Sequence, residues 1–473
     1  MDNRYKKLAK NSAWTLLGNI GSKALGFLLL PLYTRWLGTA GFGESDLITT
    51  YASFLLCFMT LCIIEAIFVY SKNTCDEKKK SVITSSAIFI VVFLTFWFVL
   101  WALLSIVFPI YNLENSFSNN LWLIYGMVVS TAVQQFTQQI LLSLEKIKVY
   151  SSIGIVLGIL TILFSYLLIP IYGVRGYVTS IISANLITSF ICFVISKSYR
   201  YFSLRSWDKP ILKSLLKYSI PLIPNSVMWW LVSTVNRPLM EHYLDYSSIG
   251  IYAVANRFPG VVVMIFTVFT VAWNISIFEE FNKEGFEQFY KKTFRMLFLA
   301  ISIITGVVIF FSKIIIGIIA APEFHDAWMY MDILLIGAVF QCFSSFMGSS
   351  FAVVKKSKYF FYSSVWGAVS AVVLNLILIP NFGIWGAALS VAFSFLIMML
   401  SRYIYSYKYV KVSLMLEIIK YILPLVMIMV LTLKLDSVFL QIIGTIICLI
   451  VLVISERDIV KPTYNMVINK IRR

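Results

Sequence analysis

The chain has 473 residues, of which 60% are hydrophobic and only 13% are charged. Soluble domains average about 45–50% apolar and about 25% charged residues, so the composition excludes an ordinary soluble protein. The formal net charge of +17 would favour nucleic acid in a soluble protein. Membrane proteins concentrate Lys and Arg in their cytoplasmic loops, so we expect a lipid bilayer and no nucleic acid partner.

Long apolar runs follow one another along the chain, and their hydrophobicity is continuous rather than alternating, which favours helices over a β-barrel. A helix needs roughly 20 apolar residues to cross a bilayer. The predicted spans are residues 12–36, 45–70, 82–108, 119–143, 150–172, 175–197, 218–241, 249–277, 293–320, 327–353, 360–381, 384–407, 413–433 and 436–455. The sequence therefore predicts an all-α polytopic membrane protein of about fourteen transmembrane helices.

The positive charges alternate along these spans. Most of the 39 Lys and Arg residues fall in the N-terminal tail, in every second loop and in the C-terminal tail. By the positive-inside rule, we expect a multi-pass plasma membrane protein with both termini in the cytoplasm.

An internal repeat relates the two halves of the chain. The turn around Pro170, Gly173 and Gly176 returns as Pro380, Gly383 and Gly386, and the segment 31–43 is echoed by 238–250. Six predicted helices separate the copies, so the halves share one orientation, as in transporters built from parallel repeats. The predicted domains are an N-lobe (1–200), a basic cytoplasmic linker (201–217), a C-lobe (218–410) and two extra helices with a cytoplasmic tail (411–473).

Polar residues inside two of the spans predict a hydrated cavity. Lys23 lies near the middle of the first span beside a polar face that includes Asn19. A cation at that depth costs roughly 2.5–3.5 kcal/mol on the insertion scale, so it faces a wet cavity or a buried carboxylate such as Glu65. In the eighth span, Asn256 and Arg257 are too deep to reach the surface easily.

Further candidate cavity residues share polar helix faces or lie near helix ends, and each has a structural alternative. The two Trp residues stack on sugar rings or simply pack, the Gln residues bind hydroxyl groups or a neighbouring helix, and the two Arg residues bind substrate or anchor the protein at the surface. This set comprises Asn225, Trp229, Trp230, Arg237, Gln134, Gln138 and Arg35.

Glu65 is the candidate ion-coupling residue, with a plain salt bridge as its alternative. The two His and six Cys residues form no metal-binding pattern, and no nucleotide-binding or nucleophile motif is present. We therefore expect no catalytic residue, no metal, no cofactor and no enzyme activity.

The segments "YSIPLIPNSVMWWLVSTVNRPLM" and "SSIGIYAVANRFP" resemble the bacterial polysaccharide repeat-unit flippases of the multidrug/oligosaccharidyl-lipid/polysaccharide exporter superfamily. The opening "NSAWTLLGNIGSKALGFLLLPLYTRWLGTAGFG" and "QQILLSLEKIKVYSS" are similar to the same family, which often has an acidic residue where this chain has Asn236. The resemblance implies alternating-access flipping of an undecaprenyl-pyrophosphate-linked oligosaccharide to the outer leaflet of the bacterial inner membrane, with polysaccharide polymerases as partners and proton or Na⁺ coupling left open. The alternatives are a lipid II flippase and a multidrug or cation antiporter.

Overall fold

The computed structural model of the chain describes residues 26–72, 74–111, 115–281, 283–435 and 437–458. Every regular element in these ranges is helical, which confirms the all-α prediction. The α-helices are α1 Leu30–Thr60, α2 Ile63–Ser71, α3 Asp76–Ile110, α4 Ser116–Asn119, α5 Leu121–Ser143, α6 Ile147–Ser196, α7 Lys209–Ser219, α8 Leu222–Thr234, α9 Asn236–Tyr243, α10 Tyr246–Ala255, α11 Pro259–Glu280, α12 Phe286–Phe310, α13 Ser312–Ile319, α14 Ala327–Val353, α15 Ser357–Val410, α16 Met415–Lys434 and α17 Val438–Ser455. Three short 3₁₀ turns lie at Ser198–Tyr201, Leu204–Ser206 and Pro322–Phe324.

Two of the helices are hairpins. α6 has 50 residues and α15 has 54, roughly twice what one crossing of a ~30 Å hydrocarbon core requires. Each is broken at one glycine of positive φ, Gly173 (φ 55°, ψ −126°) and Gly383 (φ 57°, ψ −129°). The Oγ atoms of Ser165 and Ser180 lie 3.0 Å apart across the first break, so the two arms of α6 run side by side. The repeated glycine turn predicted from the sequence is therefore the point where each helix reverses.

The number of spans agrees with the prediction once the breaks are counted. Within the described ranges, eight helices are long and apolar enough to cross a membrane, or nine if the bent pair α1–α2 counts as one span. Three helices count as two crossings each: the hairpins α6 and α15, and the stretch that contains α1, which is broken at Gly38 (φ 62°). The helix α5 and the stretch α8–α9 add two further crossings. The total is then about fourteen transmembrane helices.

Several predicted spans are not the continuous helices that the sequence suggested; among them, the span 293–320 is divided at Phe311 between α12 and α13. The span 45–70 is bent by 56° at Leu61 and Cys62, which both have positive φ. The span 218–241 contains two turns, one between α7 and α8 and one between α8 and α9. The span 249–277 is broken between Ala255 and Pro259. Proline lacks a backbone N–H and often begins a helix, so Pro259 explains where α11 starts.

The described chain divides into two compact units. Unit 1 comprises the helices up to Trp230 together with Asp245–Gly250, and unit 2 comprises Leu231–Leu244 and the described residues from Ile251 onward. The lobe limits expected from the repeat stay a prediction.

The helix α14 forms the core of unit 2. It packs against α11, α12, α13, α15 and α16, and most of its side chains are buried. Aromatic rings fill the contacts: Trp273 stacks on Phe346 with centroids 4.4 Å apart, and the ring of Phe298 lies tilted against that of Phe343 with centroids 4.2 Å apart. The buried polar side chains of α14, such as that of Asp332, are therefore held in a closely packed, largely apolar environment.

Candidate functional site

The interruption between α10 and α11 carries two of the predicted site residues in unit 2. Asn256 is half-buried, Arg257 is exposed, and the backbone N–H of Arg257 donates to Val254 O at 3.1 Å in a tightened last turn. Non-helical backbone at membrane depth is tolerated where it is buried in protein or lines a water-filled cavity. The break thus brings an amide, a guanidinium group and polar backbone groups to one place, an arrangement suited to a polar or anionic ligand.

Arg237, on α9 of unit 2, is buried with 5% of its surface exposed, so it is not a surface anchor. Its guanidinium group lies 5.4 Å from the centroid of the Tyr252 ring. Its Nη1 donates to Ser233 O at 3.3 Å and to Asn236 Oδ1 at 3.4 Å. Asn236, the residue before Arg237, thus presents an amide oxygen that accepts from the guanidinium group.

Trp230 packs within unit 1. Its Nε1 donates to Ser53 Oγ at 3.2 Å, and its ring centroid lies 4.5 Å from that of Phe54, both on α1. The ring remains half-buried, as do Trp229 and Asn225 on the same helix. These contacts agree with the packing alternative for Trp230.

The other predicted residues are spread over unit 1. Gln134 is buried on α5 and Gln138 is half-buried one turn later, whereas Arg35 on α1 is exposed. Glu65 lies in the first turn of α2, directly after the bend, and is exposed. Lys23 and Asn19 lie outside the described residues, so their placement stays a prediction.

Several buried charged residues were not part of the site predicted from the sequence, among them Asp332 and Arg402. Asp332 on α14 is fully buried, and Arg402 on α15 is fully buried with its Nε donating to Ser363 Oγ at 3.1 Å. The guanidinium group of Arg402 also lies 4.2 Å from the centroid of the Phe360 ring. Asp332 could have been found from the sequence, because it is a carboxylate inside the apolar stretch 327–353.

An ion-pair network joins α12, α16 and the end of α17. Glu456, fully buried, lies 2.6 Å from Arg295 Nη2 and 2.5 Å from Lys420 Nζ, and Tyr421 Oη donates to it at 2.7 Å. Burial alone would raise the pKa of Glu456, but the hydrogen bonds from Lys420, Arg295 and Tyr421 outweigh it and hold this pKa below its usual value. Glu417 extends the network, 3.4 Å from Lys291 Nζ.

Among the described residues, no group of three or more His, Cys, Asp and Glu side chains could hold a metal ion. The candidate site residues that the structure describes offer guanidinium, amide and indole groups. These donors suit charge-assisted and neutral hydrogen bonds to phosphate and sugar oxygens.

Comparison with known proteins extends over most of the chain. The family model described as polysaccharide biosynthesis protein matches residues 8–274, and the model MatE matches residues 221–377. Two uncharacterized membrane proteins of Methanocaldococcus jannaschii are 23% and 24% identical to the chain. The first match covers 83% of both chains, and the second covers 81% of this chain and 94% of the relative.

Solved transporter structures have the same fold. The lipid II flippase MurJ in an inward closed conformation superposes with a TM-score of 0.66 at 16% identity, over 96% of this chain and 100% of its own. An inward-facing multidrug resistance MATE family transporter of the MOP superfamily gives a TM-score of 0.62 at 14% identity, over 84% of this chain and 94% of its own. A MOP superfamily transporter from Pyrococcus furiosus, described as having a binding pocket of reverse polarity, superposes with a TM-score of 0.58 at 12% identity. This match covers 85% of this chain and 95% of the transporter.

Proposed function

Because the chain belongs to the polysaccharide biosynthesis protein family, we propose that it is a flippase for a polyprenyl-pyrophosphate-linked oligosaccharide. In this proposal it carries the lipid-linked sugar from the cytoplasmic to the outer leaflet of a bacterial plasma membrane by alternating access. Both termini are then cytoplasmic, and polysaccharide polymerases that use the flipped unit are partners. The chain performs transport rather than catalysis.

The interrupted helix at Asn256 and Arg257 is the observation that carries this proposal. A pyrophosphate needs charge-assisted hydrogen bonds, and a guanidinium group supplies paired N–H donors with matching geometry. A glycan needs neutral donors and acceptors, which the adjacent amide and the backbone of the break provide. Within unit 2, the cationic character of Arg257 and Arg237 favours an anionic headgroup over a cationic drug.

A lipid II flippase is the second candidate. The MurJ structure matches 96% of this chain, whereas the MATE transporter matches 84%. Lipid II and a polysaccharide repeat unit both present a polyprenyl pyrophosphate, so the charge of the site suits either. The family match on residues 8–274 favours the polysaccharide precursor.

Deleting the gene in its native host tests the proposal. We expect viable cells that lose a surface polysaccharide and accumulate its polyprenyl-linked unit on the cytoplasmic side. Arrest of peptidoglycan synthesis would instead support the lipid II flippase. Unchanged polysaccharide with increased dye or drug sensitivity would support an antiporter and contradict the proposal.

Complementation with variants tests the site itself. Arg257→Ala should fail to restore the polysaccharide although the protein reaches the membrane, because the charge-assisted bonds are lost. Arg257→Lys should restore it in part, since the charge remains but the paired donors do not. The matched control is Arg175→Ala, which removes an exposed cation just after the reversal of α6 and should complement fully. Full complementation by Arg257→Ala would show that Arg257 is not needed for substrate binding.

A further inference from the structure

An apolar groove lies on the surface of unit 2, between the two arms of the hairpin α15, and none of its residues belongs to the candidate site. The groove has a volume of about 340 Å³ and is lined by Trp366 of the first arm and by Ile397, Leu400, Ser401, Ile404 and Tyr405 of the second. We propose that this groove and three lysines beside it bind one anionic glycerophospholipid, with an acyl chain in the groove and the phosphate group at the lysines. The inference goes beyond the flippase function and does not depend on it.

The exposed surface of α15 is that of a helix pair in contact with lipid. From Phe361 to Tyr407, every exposed side chain except that of Asn381, at the reversal, is apolar or aromatic. Within the groove, Trp366 is 56% exposed and Ile404 is 59% exposed, so the groove is open along one side. An acyl chain can therefore enter it sideways from the bilayer.

The polar groups that line the groove are already hydrogen-bonded. Trp366 Nε1 donates to Tyr405 Oη at 3.4 Å, and Ser401 Oγ donates to the backbone oxygen of Met398 at 2.8 Å. A hydroxyl group has one hydrogen, so Ser401 has none left for a ligand. The groove therefore suits a hydrocarbon chain and not a sugar.

Three lysines lie at the end of the groove where α15 begins and ends. Lys356, Lys358 and Lys408, here called the lysine patch, are exposed and act electrostatically on the hydroxyl group of Tyr359. Lys358 Nζ lies 5.3 Å from the centroid of the Tyr359 ring. That ring lies 5.2 Å from the ring of Tyr405, which lines the groove. The lysine patch and the groove are therefore continuous.

No acidic residue neutralises the lysine patch along the chain, because the sequence has no Asp or Glu from residue 333 to residue 416. The next carboxylate, that of Glu417, lies 3.4 Å from Lys291 Nζ and 3.5 Å from Lys420 Nζ and is engaged with them. The patch thus has a net positive charge. Basic pockets between transmembrane helices on the cytoplasmic side bind anionic lipid headgroups.

The distance between the patch and the groove suits a single lipid molecule. Trp366 lies seven residues beyond Tyr359 in the sequence, or about 10 Å deeper along the helix at 1.5 Å per residue. A phosphate group at the lysines thus places the start of an acyl chain beside Trp366. The proposed topology puts the lysines in the cytoplasm, so the lipid belongs to the cytoplasmic leaflet, whose anionic lipids attract Lys and Arg.

Native mass spectrometry of the full chain in detergent, titrated with dioleoyl phosphatidylglycerol, tests the inference. We expect one molecule to bind tightly. Dioleoyl phosphatidylcholine has the same chains but no net charge, so it should bind about tenfold or more weakly. Equal affinity for the two lipids would contradict the role of the lysine patch.

Two triple variants test the lysines against a general attraction of charges. The first removes the lysine patch: Lys356→Gln, Lys358→Gln and Lys408→Gln. The control removes three lysines at the start of α3, where Asp76 lies 3.8 Å from Lys79 Nζ: Lys78→Gln, Lys79→Gln and Lys80→Gln. We expect the first to weaken phosphatidylglycerol binding about tenfold or more and the control to leave it unchanged. Arg at the three patch positions should preserve binding, and an equal loss in both Gln variants would overturn the inference.

Filling the groove tests the place of the acyl chain. Ile404→Trp adds a bulky ring at the open edge and should weaken phosphatidylglycerol binding several-fold. Ile377→Trp is the control, because Ile377 is also exposed on α15 but does not line the groove. Thermal unfolding without added lipid should give the same melting temperature for both variants. If both bind phosphatidylglycerol equally well, the groove does not hold the chain and the inference is wrong.

Competition experiments distinguish the phospholipid from other sources of phosphate. We expect sn-glycerol 3-phosphate, which has no acyl chain, not to displace phosphatidylglycerol, and undecaprenyl phosphate to displace it less effectively than phosphatidylglycerol itself does. Displacement by the water-soluble phosphate at equal concentration would show a plain phosphate site. More effective displacement by undecaprenyl phosphate would assign the groove to a polyprenyl carrier, and either result overturns the inference. None of these measurements involves flipping, so they can fail while the proposed function stands.

Discussion

Gly43 and Gly250 approach each other so closely within unit 1 that neither position has room for a Cβ atom. A Cβ at Gly43 would overlap the backbone oxygen of Tyr246, and a Cβ at Gly250 would overlap that of Thr39. Thr39 and Gly43 occupy the places in the first copy of the repeat that Tyr246 and Gly250 occupy in the second. The contact is therefore reciprocal, as at a twofold interface, although both segments belong to one chain.

We expect Gly43→Ala and Gly250→Ala each to destabilise the protein by about 1–3 kcal/mol, because the new methyl group meets backbone that cannot turn away. Thermal unfolding of the purified protein in detergent measures the effect. Gly260→Ala is the control, since no atom lies within 4 Å of a Cβ at that position. Equal melting temperatures for all three variants would show that the glycine contact does not form.

Cysteine labelling from the two sides of the membrane tests the topology. Introduced at Lys79, Lys209 and Lys356, cysteines should react from the cytoplasm, and at Asn119 and Glu323 from outside. The reason is the concentration of Lys and Arg in alternate loops. If cysteines at positions 79 and 209 reacted from opposite sides of the membrane, the parallel arrangement of the two repeats would be contradicted.

Substitutions of Trp230 distinguish packing from sugar stacking. Trp230→Phe keeps a ring against Phe54 and loses the hydrogen bonds that Nε1 donates to Ser53 and to the backbone oxygen of Thr50, so stability should fall by about 1–2 kcal/mol. Trp230→Ala removes the ring and should cost about 3–5 kcal/mol if the ring is a packing element. An unchanged melting temperature in Trp230→Ala, together with lost polysaccharide export, would instead indicate stacking on the glycan.

The Glu456 network should make stability depend on pH in acid. The pKa of Glu456 is lowered in the folded protein, so its stabilising contribution is complete above the ordinary value of 4.5 and is lost as pH falls below it. Glu456→Gln leaves Arg295 and Lys420 without their buried partner and should cost about 3–5 kcal/mol at neutral pH. The difference in melting temperature from the unmodified protein should shrink at about pH 4. Glu284→Gln, at an exposed carboxylate, is the control, and a pH-independent difference for Glu456→Gln would contradict the argument.

The sequence predicted the features that depend on local pattern. Continuous apolar runs identified the spans, and the repeated turn identified Gly173 and Gly383, because a single glycine can adopt a positive φ at little cost. The sidedness that the alternation of Lys and Arg indicates stays a prediction.

The features that the sequence did not predict depend on contacts between distant segments. Nothing in the spacing of Glu456 and Arg295 indicates that they meet, because the contact is set by how α12 and α17 pack. The same holds for Asp332 and Thr432, and for the burial of Arg237. The bend at Leu61 and Cys62 involves no proline or glycine, so no residue in the sequence indicated it.

The reversals at Gly173 and Gly383 have a consequence for how the protein enters the membrane during synthesis. In each hairpin, a single glycine rather than a loop joins the two helical arms. The two arms can therefore pair as soon as the second arm has been synthesised. Ser165 then meets Ser180 within the hairpin itself. We therefore expect each hairpin to enter the bilayer as a pair of helices, and the internal repeat gives the chain two such hairpins.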